Sequence, residues 1–94
     1  METIRLSKFQ IAETKTFAKN RRKIDDKVYS KIVQIVYPQL RDNPFFGTNI
    51  KKLKGNLEGY YRYRIGSYRL FYLIDNKRVL VAIVGLQHRQ SAYS

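Results

Sequence analysis

Tyr60-Tyr61-Arg62-Tyr63-Arg64-Ile65-Gly66-Ser67-Tyr68-Arg69-Leu70-Phe71-Tyr72-Leu73-Ile74 decides the fold of this chain. Two runs rich in aromatic and aliphatic residues flank Gly66-Ser67, and glycine at the first central position is the composition of a two-residue II′ turn. Residues 60–65 and 68–74 therefore read as adjacent antiparallel strands. Alternation in the first strand sends Tyr60, Arg62 and Arg64 to one face and Tyr61, Tyr63 and Ile65 to the other. One face is cationic and the other apolar. Arg69 opens the second strand just across the turn, within reach of the cationic row.

Further along the chain, Asp75-Asn76-Lys77 makes the next turn and Arg78 to Leu86 a third strand. Its segment Val79 to Val84 has no polar face, which predicts a central strand covered on both sides. Upstream, Ile50 to Leu53 reads as a short strand after the loop Phe45 to Asn49. Before that loop, Ile24, Val28, Ile32, Ile35, Val36 and Leu40 form one helical stripe opposite Lys27, Ser30, Lys31 and Gln34. Pro38 lies inside this helix, so its last turn should be kinked or separate. The first strand is expected at Thr3 to Leu6, with Ser7 and Gln10 at capping-box spacing and a helix from Lys8 that fades near Lys19 to Lys23. The expected architecture is one α+β domain over residues 1–94, in the order β-α-α-β-β-β, with two helices on one face of a twisted antiparallel sheet.

Composition limits the partners. Nineteen Lys and Arg against seven Asp and Glu leave +12 on 94 residues, a field that attracts and steers polyanions. Nucleic acid comes first, an acidic protein fits the same field, and anionic lipid fits it less well because no segment joins a basic face to a long apolar one. With no Cys and one His, a disulfide framework and a structural zinc site are excluded, and no metal or cofactor is expected. The N-terminus lacks a signal-peptide stretch, and no run approaches the roughly 20 apolar residues of a membrane span. The expected compartment is the cytoplasm.

Lys51, Lys52 and Lys54 from the preceding segment, and His88, Arg89 and Tyr93 after the last strand, join Arg62, Arg64 and Arg69 if consecutive strands pair. Singly, such residues are ordinarily solvated cations, a bystander imidazole and a packing tyrosine. Together they match the tasks of metal-free RNA cleavage. The 2′-hydroxyl must be activated, charge on the phosphorane-like transition state neutralised, and the 5′-oxygen protonated. Arginine supplies fixed two-pronged charge, while His and Tyr supply proton transfer. No Asp or Glu cluster suited to Mg²⁺ accompanies them.

The segments Lys52-Leu53-Lys54-Gly55, Gly59 to Gly66, Tyr68 to Tyr72 and His88-Arg89-Gln90-Ser91-Ala92-Tyr93, in this order, resemble the RelE/ParE toxin superfamily, and within it the RelE-type mRNA interferases, YafQ-like members included. The resemblance implies a RelE-like (microbial RNase-like) fold and cleavage of mRNA in the ribosomal A site through a 2′,3′-cyclic phosphate. It also implies contacts with 16S rRNA and neutralisation by a cognate acidic antitoxin. By position it assigns catalytic roles to Arg62, Arg64, Arg69, His88 and Tyr93, and RNA binding to Lys51, Lys52, Lys54 and Arg89. RelE toxins carry a functional arginine six residues before the C-terminal tyrosine; this chain has Gln87 there. Two other readings share these features: a ParE-type gyrase poison, and a non-catalytic RNA- or ribosome-binding module that uses the same cations for phosphates and the tyrosines for stacking.

Overall fold

The computed structural model describes residues 8–88. Strand β1 (Gln10–Glu13) is followed by helix α1 (Lys15–Arg21), a second helical arm and four more strands: β2 (Ile50–Lys52), β3 (Tyr61–Ile65), β4 (Tyr68–Asp75) and β5 (Leu80–His88). The sheet order is β1-β5-β4-β3-β2. Consecutive strands β2 to β5 pair antiparallel, through the Gly66-Ser67 turn among others. Gly66 sits at φ 57°, a left-handed conformation that glycine adopts without steric cost.

The α+β class and the late strands agree with the sequence reading, and the N-terminal region corrects it. Residues expected to start a helix at Lys8 instead form β1, which pairs parallel with β5, Gln10 opposite Leu80 and Glu13 opposite Ile83. Pairing to a central strand outweighs local helical spacing here, and the chain between β1 and β5, helices and strands β2 to β4 together, makes the long connection that a parallel neighbour requires. Thr14 is the true cap: its Oγ1 accepts from Phe17 N at 3.2 Å and donates to the Ile83 carbonyl at 2.7 Å. The strand expected at Thr3 to Leu6 and its Ser7 cap lie outside the described residues.

The second arm runs without a break through α2 (Asp26–Lys31), a π-helical turn (Ile32–Val36) and α3 (Tyr37–Asp42). Pro38 offers no N–H to the preceding turn, and the helix absorbs this by widening just upstream, where Tyr37 N donates to the Ile32 carbonyl. The wider turn rotates the stripe. Ile32, Val36, Tyr37 and Leu40 are buried, whereas Ile35, expected in the core, is 49% exposed.

The core lies between these helices and one face of the sheet, where Tyr63, Leu70, Tyr72, Val81, Ile83 and Leu86 meet Phe17, Ile32 and Leu40. Ile83 and Leu86 both reach it although three residues apart. A bulge permits this: Phe71 pairs with Gly85 and Tyr72 with Ile83, leaving Val84 as an extra residue on β5. β1 stops at Ile83, and past it the Leu86 N–H is taken by Asn20 Oδ1 of α1 at 3.1 Å.

Candidate RNA-binding and catalytic face

Strand pairing places Arg62 opposite Phe71, Arg64 opposite Arg69, and Arg69 opposite Gln87. On β2, Lys51 lies opposite Arg62. Cross-strand partners share a face, so Lys51, Arg62, Arg64, Arg69 and Gln87 occupy the side of the sheet away from the helices. Arg62 is half-buried and its Nη1 donates to the Asn49 carbonyl at 3.3 Å. The same carbonyl accepts from Arg64 N at 2.9 Å, which ties the row to the loop before β2. Burial first, and then the charges of Arg64 and Arg69, push the Arg62 guanidinium below the usual arginine value. Like charges directly opposite on a ladder cost stability. Among the described residues the ion pairs are Lys8–Asp42 and Arg78–Asp75, and neither relieves Arg62 or Arg64. An anion bound between them would.

A groove of about 620 Å³ adjoins this row. Phe71, Val84 and Gly85 form its floor, Thr16 and Asn20 of α1 one wall, and Leu57 and Tyr60 the other. The all-apolar strand expected to be covered on both sides is covered by helices on one only. Leu80, Ala82 and Val84 remain half-buried, and Val84 serves as groove floor. At Val84 and Gly85 the second face of β5 thus belongs to a cleft and not to a second core.

The predicted site residues divide. Arg62, Arg64, Arg69 and Lys51 are brought together. Lys52 pairs with Tyr61 and so falls on the opposite face, and Lys54 precedes the short 3-10 turn Gly55–Leu57. His88 pairs with Tyr68, and the two rings stand edge to face with centroids 4.9 Å apart. That is the helix-bearing face, so His88 shares the end of the sheet with the arginines but not their side. Arg89 and Tyr93 lie outside the described residues. No group of three or more His, Cys, Asp or Glu that could hold a metal occurs among the described residues, and no described helix is long and apolar enough to cross a membrane.

Residues 11–93 match the family model described as the ParE toxin of the type II toxin–antitoxin system, parDE. Toxin RelE of Mycobacterium tuberculosis is 31% identical over 86 residues, covering 90% of this chain and 86% of that protein. This chain belongs to the RelE/ParE toxin superfamily. Among solved structures, the toxin–antitoxin complex RelBE2 from the same organism superposes with a TM-score of 0.79 at 26% identity, over 90% of this chain and 95% of the matched one. The archaeal RelE–RelB complex from Pyrococcus horikoshii shares the fold, with a TM-score of 0.73 at 23% identity over 87% and 96% of the two chains.

Within the RelE/ParE frame, the register puts Gln87, not His88, on the arginine face. This is the position where RelE toxins carry an arginine. Sequence reasoning passed over Phe71, Asn20 and the groove they line. Phe71 sits in an aromatic strand where every neighbour reads as core, and only its pairing with Arg62 reveals the face it occupies.

Proposed function

We propose that this toxin is a ribosome-dependent endoribonuclease that cuts mRNA in the A site. The observation that carries this reading is the opposed Arg64–Arg69 pair beside Arg62, set at the edge of an apolar groove. In the proposed reaction the 2′-oxygen attacks the adjacent phosphorus and loses its proton to a base. The P–O5′ bond breaks, and the 5′-oxygen takes a proton, leaving a 2′,3′-cyclic phosphate and a 5′-hydroxyl. Two guanidiniums facing each other supply paired donors to the non-bridging oxygens, whose charge grows in the transition state. Tyr93 is proposed as a proton carrier, and Arg89 as a further fixed cation for the RNA phosphates. A face of cations without a strong base should depend on the ribosome to orient the 2′-hydroxyl in line.

The partner proposed is an acidic antitoxin. RelBE2 and its archaeal counterpart were solved as toxin–antitoxin complexes, and a +12 chain favours an acidic segment laid over Arg62, Arg64 and Arg69. The second reading, a gyrase poison, is favoured by the ParE description of the matching family model. Inducing the chain in cells and mapping RNA ends separates the two. Translation arrest with cuts confined to ribosome-occupied codons is the expected result. Intact mRNA with trapped gyrase–DNA cleavage complexes would point to the ParE activity.

A further inference from the structure

The groove does not end at Gln87. Asn20, Leu86 and Gln87 also line a second cleft, of about 350 Å³, which turns around the end of β5 onto the helix-bearing face. Tyr68 and His88 form the wall between this cleft and a third, of about 230 Å³. Each holds one lysine beside an apolar residue of the helical hairpin: Lys23 next to Ile24 in the second, Lys31 near Val28 in the third. Ser67, at the β3–β4 turn, lines the third as well. Both lysines are exposed, and neither is in an ion pair among the described residues.

Aromatic rings beside apolar walls, with a cation at each mouth, fit a single-stranded polynucleotide, whose bases stack and whose phosphates need charge. An acidic peptide would use the lysines but has no need of the ring pair. We propose that the two clefts form an RNA track continuing the arginine face around the end of β5. Nucleotides flanking the phosphate at Arg64 and Arg69 place their bases against Tyr68 and His88, and their phosphates at Lys23 and Lys31. The inference rests on the ribonuclease reading of the arginine face and assigns the helix side of the sheet to the same strand of RNA. His88 then acts on substrate through contact with a flanking base, away from the scissile bond.

The test is fluorescence anisotropy with labelled, uncleavable 2′-O-methyl RNA oligonucleotides of two lengths, about three and about nine nucleotides, the first below and the second within the roughly 4–16-nucleotide site sizes of single-strand binders. The paired change Lys23→Ala with Lys31→Ala should weaken the longer oligonucleotide about tenfold and the shorter less than about twofold. It should also lower the salt slope for the longer one by about 1.4, two single-strand phosphate contacts at roughly 0.7 each. Tyr68→Leu should weaken the longer oligonucleotide by about tenfold, the scale of one lost stacking contact, with the slope unchanged. Should Tyr68→Leu fail to fold, the lysine pair still decides. Equal losses at both lengths, or none for the longer, would overturn the track, including the case in which only binding to ribosomal subunits weakens. Arg69→Ala separates the two levels. If it weakens both lengths while the lysine pair changes neither, the track alone is wrong; if it weakens neither, the arginine-face reading goes first.

Discussion

Arg64 facing Arg69 is the residue-level fact on which function turns. The arginines were legible in the sequence because alternation on β3 is uninterrupted, so Arg62 and Arg64 must share a face. His88 was not legible in the same way. Counting by twos from buried Ile83 would put position 88 on the arginine side, and the extra residue Val84 reverses that parity. Arg69→Ala should cut single-turnover cleavage about 10²–10³-fold, the loss typical of a deleted transition-state donor, and Arg69→Lys should recover only part, since an ammonium cannot make the two-pronged contact. Arg64→Thr should likewise lower single-turnover cleavage in a protein that is still folded by circular dichroism, since it removes the second of the facing donors. Full activity in Arg64→Thr would take Arg64 out of the site.

At the scale of elements, β3, β4 and their turn were readable because local chemistry and tertiary pairing agree, with Gly66 at the position that demands it. β1 was not, since nothing in Gln10-Ile11-Ala12-Glu13 announces a parallel partner some seventy residues away. The π turn was half legible: Pro38 announces a defect but not its form. Asn20 shows how α1 replaces the missing ladder beyond β1. Asn20→Ala should leave the Leu86 N–H without its partner and cost about 1–3 kcal/mol, read as a lower urea midpoint at unchanged slope. Gly66→Ala, forced to φ 57°, should cost about 1 kcal/mol by the same measurement. An unchanged midpoint for Asn20→Ala would show that water serves Leu86 N–H equally well.

Across the whole molecule, two electrostatic features set the response to solution conditions. The buried Tyr72 hydroxyl donates to the Pro44 carbonyl at 2.8 Å, and burial raises its pKa above the ordinary value near 10. The folded state thus keeps this proton longer than the unfolded chain does. The resulting stability is fully present below about pH 10 and declines as pH rises further, because the unfolded tyrosine ionises first. Tyr72→Phe should cost about 1 kcal/mol at neutral pH through the orphaned carbonyl, and its alkaline decline should be shallower. The second feature is the +12 charge, part of it the cations of the arginine face. Association with an acidic antitoxin should slow steeply with salt while dissociation changes less.

The central claim is that the arginine face cleaves mRNA on the ribosome, and single-turnover cleavage on programmed ribosomes tests it most directly, with circular dichroism on the same samples. The account predicts cutting of A-site mRNA by the wild-type chain, a cyclic phosphate at the new end, and about a 10²–10³-fold loss in a still-folded Arg69→Ala protein. Full activity in Arg69→Ala, or no cleavage by the wild-type chain on ribosomes, would contradict it.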